Sequence, residues 1–412
     1  MRILILTQFF HPEPGPRVHE LAAELAGRGH QVSVITGFPT VPFATFYDGY
    51  RPSVYRLERY GEAQVVRVPH FPHGRKSALR RLLHYGSFAV SAASLGNMLV
   101  GRSDCMYVFL PPPLLGFAAH VISRTRGIPY MYDIQDIWPE AIEGSGITLP
   151  GGLMRALKRL AHTAHRLPDA ISVPSPGYKR HLEASGIDPG KIEVIPNWAD
   201  ESCYRPIDYD ADFAREFGLD GKFNVVFAGN LGWAQALETV LDCAPLVAHI
   251  PDIQFVLAGE GLASKQLQEK ACKMGLHNVR FLGRMNQDRM PSLFSVSDLL
   301  LVHLRKSPIF TITIPGKTQA YMASGKPILM AVEGDGAELI ETAGAGLTCP
   351  QEDPAALARC VKRFYDMSPA ERSVMGQHAR RAYLERFTRK TVVSQFESLL
   401  RRVARMDIAH DE

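Results

Sequence analysis

The feature that most constrains this chain is an alternation of short apolar runs with helical stretches, repeated in two series. In the first, Arg2–Thr7, Gln31–Thr36, Asp104–Leu110, Pro129–Tyr132, Ala170–Pro174 and Ile192–Pro196 read as strands. Between them, Val18–Arg28, Leu114–Arg126, Leu153–Arg166 and Tyr178–Ser185 carry helical spacing, with Leu21, Ala22 and Leu25 on one face. A polar, proline-bearing stretch, Asn197 to Asp212, separates this from a second series. That series has strands at Phe223–Ala228, Ile253–Ala258, Val279–Leu282, Asp298–His303 and Ile328–Val332, and helices at Leu237–Ala248, Ser264–Met274 and Thr318–Ala323. Strands that are apolar throughout, each followed by a helix, are the pattern of a parallel sheet covered on both faces. The expectation is α/β: two Rossmann-like, doubly wound domains facing across a cleft, with a helical C-terminus. The domains are placed at 1–200 and 201–375, with helices over 376–412 packing back toward the first. Such sheets bind ligands at the carboxyl ends of their strands.

Composition narrows the class of function. Hydrophobic residues are 46% and charged residues 21% of 412, which is ordinary globular usage. The formal net charge is +4, too small an excess to imply nucleic acid. The six cysteines, Cys105, Cys203, Cys243, Cys272, Cys349 and Cys360, contain no CxxC and no zinc spacing, so a reduced cytoplasmic protein is expected. The apolar start, MRILIL, is shorter than the roughly 7–15 residues of a signal-peptide core and reads as a first buried strand. Leu82–Val100 is the longest apolar stretch, but His84, three serines and Asn97 interrupt it. It follows Arg75, Lys76, Arg80 and Arg81, and reads either as a long domain helix or as a basic amphipathic helix lying on an anionic membrane face.

Four segments carry chemistry. Gly15, in HPEPGPRVHELAAEL, lies between strand one and helix one, where backbone amides attract anions. AGNLG, Ala228 to Gly232, repeats that placement in the second series, and Gly229 and Gly232 expose amides there. It is not a GxGxxG, and Glu260 lies in its own loop beside Gly261, so dinucleotide binding is disfavoured. The stretch His303 to Leu329 combines Arg305, Lys306 and Lys317 with Gly316 at a helix start, and reads as a diphosphate clamp. YDIQDIWPEAIEGSG places Asp133, Asp136 and Glu140 after a buried strand, facing the cleft, where carboxylates can orient sugar hydroxyls. Asp208 and Asp210 form a DxD in the polar connecting stretch and read as a solvated loop. His162 and His165 lack a nearby carboxylate, and no metal site is expected.

These segments, in this order, resemble the family 4 retaining glycosyltransferases of GT-B architecture. The forms AGNLG…QALET and IPGKTQAYMASGKP are most similar to the WbuB-like subgroup of L-fucosamine transferases, and DIQDIWPEAI resembles the family's DLWPE segment. The resemblance implies a UDP-sugar donor as co-substrate, no cofactor and no metal. It implies a lipid-linked oligosaccharide acceptor of O-antigen, capsule or exopolysaccharide synthesis at the inner face of the cytoplasmic membrane, met through the basic helix near Arg75–Arg81. Gly15 would approach the diphosphate from the first domain. Gly229, Asn230, Gly232, Glu260 and Gly261 would line the donor, Arg284 and Met285 would lie near the base, and Lys317 would hold the diphosphate. Asp136 would act on the acceptor side with Glu140. Asn230 and Gln235 stand where many members carry Arg and Lys, and Ala320, with Gln319 beside it, stands where a family glutamate would be. The positive charge is then expected from Arg305, Lys306 and Lys317. Two rival classes share this architecture, a UDP-sugar 2-epimerase and a non-catalytic partner subunit.

Overall fold

A computed structural model describes residues 1–13, 17–41, 45–51, 53–72, 78–110, 113–140 and 150–405. The first sheet has eight strands: β1 (Arg2–Leu6), β2 (Gln31–Gly37), β3 (Arg56–Tyr60), β4 (Ala63–Val68), β5 (Cys105–Leu110), β6 (Tyr130–Ile134), β7 (Ala170–Val173) and β8 (Ile192–Val194). Their spatial order is β3-β4-β2-β1-β5-β6-β7-β8. All neighbours are parallel except the β3–β4 hairpin at the edge. The second sheet is parallel throughout, in the order β11-β10-β9-β12-β13-β14. Its strands are β9 (Phe223–Ala228), β10 (Ile253–Ala258), β11 (Val279–Gly283), β12 (Leu299–His303), β13 (Ile328–Ala331) and β14 (Gly346–Thr348). The winding reverses between β1 and β5 in one sheet and between β9 and β12 in the other, the crevices where such sheets bind ligands.

Burial explains why these runs form strands. Every residue of β6, β9, β10 and β12 is buried, as a sheet covered on both faces requires. The β3–β4 hairpin was not expected from the sequence. Its edge strand, RLERY, is mostly exposed and polar, so it has no apolar signature, and its short turn is made at Gly61, whose φ is +55°. Strand β14, only GLT, was likewise not expected.

The C-terminal helices divide between the two domains. Helix Pro369–Arg386 packs on the second domain, with Ala379 and Tyr383 in one core cluster with Ala320–Ala323. A boundary at 375/376 therefore falls inside this helix. Helix Arg389–Val403 crosses to the first domain, where Val392, Val393, Phe396 and Leu400 join the core beneath β1 and β2. Glu397 fixes it there: Arg28 donates at 3.0 Å and His30 Nε2 lies 2.9 Å away. Burial pushes that carboxyl up, but hydrogen bonds from Arg401, Arg28 and His30 outweigh it and hold the group at about 2.

A second bridge joins the domains beside the cleft. Helix Pro176–Ala184 of the first domain meets Asp335 at the start of helix Asp335–Ala343 in the second. Asp335 accepts from the Gly177 amide and from Arg180, the latter at 2.6 Å. A Cβ on Gly177 would lie 2.6 Å from Ile312 Cβ, so only glycine lets the domains approach this closely.

Leu82–Val100 folds as helix Ala78–Ser91, a π-helical turn at Ala92–Gly96 and a last turn at Asn97–Leu99. Arg75 and Lys76 lie outside the described residues. Among those described, no helix is long and apolar enough to cross a membrane. The DxD aspartate Asp210 is a helix cap, accepting from the Phe213 amide at 2.9 Å. His162 Nε2 meets the Ser185 carbonyl at 2.8 Å, and burial lowers His165 to about 4.

Candidate active site

Two cavities open at the carboxyl ends of the strands, the larger of them between the domains. The larger, about 450 Å³, is lined by Arg17 and Glu20 from the first domain and by Ala228, Gly229, Met285, Phe294, Gly316, Lys317, Ala320 and Tyr321 from the second. Ala199, Asp200 and Tyr204, from the connecting stretch, complete it. The smaller, about 230 Å³, lies in the first domain against Tyr107, Asp133, Gln135, Asn197 and Trp198, and Arg17 lines both.

The glycine loops of the larger cavity follow from sheet register. β9 and β10 run in step and end together at Ala228 and Ala258, so Gly229 and Gly259 lie side by side. Gly229 donates to the Ala258 carbonyl at 2.8 Å. Gly259 has φ +143°, and a Cβ on it would fall 1.8 Å from the Gly229 carbonyl oxygen. A Cβ on Gly261 would similarly fall 2.3 Å from the Leu231 carbonyl oxygen. Gly261 thus serves the packing of one loop on the next. Asn230, Gly232 and Gln235 make a local knot: Gln235 Oε1 accepts from the Gly232 amide at 3.1 Å, and Asn230 packs between Gly232 and Gly261.

Lys317 begins helix Lys317–Ser324, which Tyr321 ties to the end of β9 by accepting from the Ala228 amide at 2.8 Å. This places Lys317 Nζ 3.3 Å above the centroid of the Phe227 ring and 3.1 Å from where a Cβ on Gly229 would lie. Nζ is cut off from solvent and has no hydrogen-bond partner among the described residues. Burial lowers its pKa well below the ordinary lysine value. A buried amine without a partner is costly, and an anion in the cavity would supply what it lacks.

The cluster of three cations expected here does not assemble. Arg305 stacks over Trp233, with 4.2 Å from its guanidinium carbon to the ring centroid. It pairs with Glu352 at 3.0 Å and Glu238 at 3.8 Å. Lys306 is exposed, and its backbone amide donates to Glu352 at 2.7 Å. Of the three, Lys317 lines the cavity. The physical reason is that local carboxylates satisfy Arg305, leaving its charge for the loop.

Other expected residues distribute as follows. Gly229, Met285 and Gly316 line the cavity; Glu260 and Arg284 are exposed outside it. Gln319 is buried beside the cavity wall, its Oε1 without a partner among the described residues, while Ala320 faces the cavity. Gly15 lies outside the described residues. Glu140 pairs with Lys158 at 3.5 Å. Asp133 is buried and accepts from Tyr107 at 2.6 Å, Gln135 at 2.8 Å and Ser172 at 2.9 Å. Burial raises its pKa, and those hydrogen bonds partly offset the rise. Asp136 is exposed at its surface yet crowded by protein, which raises its carboxyl, and it is in the lining of neither cavity. Burial, with the nearby Asp136 charge, pushes Tyr178 up to about 12, and Tyr178 faces Thr313 of the second domain at 3.4 Å.

Sequence reasoning missed Arg17, Glu20, Tyr204 and Tyr321. Arg17 did carry a signal. It is a cation at the N-terminus of helix Val18–Gly27, where the helix dipole disfavours positive charge.

This architecture, two parallel sheets with a charged cavity between them, is the GT-B fold. Solved structures share it: Anabaena HepE in complex with UDP and glucose matches with a TM-score of 0.70 at 19% identity, covering 97% of this chain and 99% of that one. Sucrose-phosphate synthase from Thermosynechococcus elongatus matches at 0.72 and 16% identity, covering 98% of both. More particularly, residues 13–198 match the glycosyl transferase 4-like domain and residues 222–367 match the glycosyl transferases group 1 domain, so the protein is a glycosyltransferase of GT-B type. Its relatives include WcaI of Escherichia coli K12, whose name assigns it to glycosyl transfer in colanic acid biosynthesis, 26% identical over 96% of this chain and 98% of WcaI. The D-rhamnosyltransferase WbpZ of Pseudomonas aeruginosa is 26% identical over 74% of this chain and 79% of its own length.

Proposed function

We propose that the protein transfers a sugar from a UDP-sugar to a lipid-linked oligosaccharide in O-antigen, capsule or exopolysaccharide synthesis, retaining anomeric configuration and using no metal. The observation that carries this reading is Lys317 Nζ, buried at the wall of the cleft cavity without a hydrogen-bond partner among the described residues. Departure of UDP develops charge on the diphosphate, and the Lys317 ammonium stabilises that charge without a metal. Asp136, with its raised carboxyl, is the group assigned to orient the acceptor hydroxyl. The name of WcaI, which refers to colanic acid biosynthesis, favours polysaccharide synthesis, and HepE binds UDP and glucose in its complex. UDP-N-acetyl-L-fucosamine is the first donor to try, on the resemblance to the WbuB-like subgroup.

The acceptor's lipid places the enzyme at the inner face of the membrane. Supporting this, Leu82 (57% exposed), Val90 (69%) and Met98 (82%) project from the helical stretch that follows the basic segment. The test is donor consumption across a panel of UDP-sugars with membranes as acceptor and a chelator present, for wild type and Lys317→Ala. Turnover of one donor, lost in the variant, supports the reading. UDP binding without turnover would instead make the chain a non-catalytic subunit, and epimerisation of free donor would make it an epimerase.

A further inference from the structure

Arg17 lines both cavities. It occupies the N-cap of helix Val18–Gly27 and makes no side-chain cap. Its guanidinium carbon lies 5.5 Å from the Trp198 ring centroid, and one terminal nitrogen comes within 4.0 Å of where a Cβ on Gly316 would sit. Protein encloses it except where the two cavities open. Among the described residues it has no hydrogen bond or ion pair through its side chain.

The nearby carboxylates are engaged elsewhere. Glu20 accepts from Trp198 Nε1 at 2.6 Å and lies 3.6 Å from Arg389. Asp200 lies 3.4 Å from Arg389 and accepts from Ser202. Arg389, Tyr204 and Tyr383 also act on Arg17, and Asp133, which accepts from Tyr107, Gln135 and Ser172, shares the smaller cavity with it. Across the same cavity stands Lys317, also unpartnered. Two cationic side chains, one per domain, line one 450 Å³ space, and its two carboxylates, Glu20 and Asp200, are bonded to other partners. Burial of unpaired charge is costly, so such a pair persists where a ligand completes it.

We propose that Arg17 is the first domain's ligand for a phosphoryl anion that Lys317 meets from the second, so that one diphosphate is held by a cation from each domain. This rests on reading the cavity as the UDP-sugar site, and it makes donor binding depend on the apposition of the two domains. An arginine presents two parallel N–H groups to phosphate oxygens, a bond that a lysine from the other side complements as a point charge.

Calorimetric titration of wild type, Arg17→Gln and Arg17→Lys with UDP, uridine and inorganic pyrophosphate tests it, with thermal melting to confirm that each variant is folded. The expected result is a loss of about ten- to a hundredfold in UDP affinity for Arg17→Gln, the size of one charge-assisted hydrogen bond. Pyrophosphate binding should fall in parallel, uridine binding should stay unchanged, and Arg17→Lys should recover part of the loss. Unchanged UDP and pyrophosphate affinity in Arg17→Gln overturns the proposal, and a raised KM for the membrane acceptor alone would then assign Arg17 to an acceptor phosphate. Equal losses for uridine and UDP also overturn it, as a structural role would produce. Wild type binding pyrophosphate at an Arg17-dependent site, but not UDP, upholds the anion site while removing the UDP-sugar reading; wild type binding neither refutes both.

Discussion

Replacing Lys317 with methionine should improve stability and abolish most donor binding at once. In the free protein, Nζ sits unpartnered 3.3 Å above the Phe227 ring, and burial lowers its pKa well below the ordinary value. An unsatisfied buried polar group costs about 1–3 kcal/mol. Methionine keeps the length of the chain and sets a thioether against the ring, a favourable contact. Lys317→Met should therefore gain about 1–3 kcal/mol, a rise of a few degrees in the unfolding midpoint. The same change removes a charge-assisted bond of about 1.5–3 kcal/mol to the diphosphate, weakening UDP binding roughly 10- to 150-fold. A further signature comes from the proton. Burial lowers the pKa of the amine in the free site, whereas a bound diphosphate raises it, so UDP binding by wild type should take up protons over the pH range between the two. Calorimetry in buffers of different ionisation enthalpy reads that uptake, and Lys317→Met should lose it. A variant less stable than wild type that still binds UDP equally well would refute the reasoning.

Three further outcomes follow from the geometry. Gly259→Ala forces a Cβ to within 1.8 Å of the Gly229 carbonyl oxygen at φ +143°; backbone strain alone should cost about 1–3 kcal/mol in urea unfolding. His303 is lowered to about 4 by burial, so between there and its unfolded value near 6.5 the unfolded chain binds the extra proton. Stability should fall as pH drops through that window, by on the order of 3 kcal/mol in full, and His303→Gln should flatten the pH dependence of the melting temperature. Asp335→Ala removes the acceptor shared by Gly177 and Arg180 across the domain junction; the radius of gyration by small-angle scattering should rise, and an unchanged value would show that the remaining contacts hold the domains together.

The two sheets were legible because parallel strands buried on both faces must be apolar throughout, a local property visible in runs such as Phe223–Ala228. The connecting helices were legible for the same reason, through the spacing of residues such as Leu21 and Leu25. Cationic and carboxylate residues carry no such local code. Arg305 and Lys317 are twelve positions apart in one apolar segment and look equivalent there. In three dimensions Glu352 and Glu238 satisfy the first, and the tie between Tyr321 and Ala228 holds the second, unpaired, at the cavity. Glu140 was similarly settled by Lys158, and Asp210 by the amides of its own helix. The buried parallel strands and the glycine loops at their ends can be read from the chain alone, since burial and backbone conformation act over a few residues, whereas the exposed β3–β4 edge hairpin cannot. Only the tertiary structure decided which charges are left unpaired at the cleft, because pairing depends on groups that the fold brings together from distant parts of the chain, as it brings Arg17 to face Lys317.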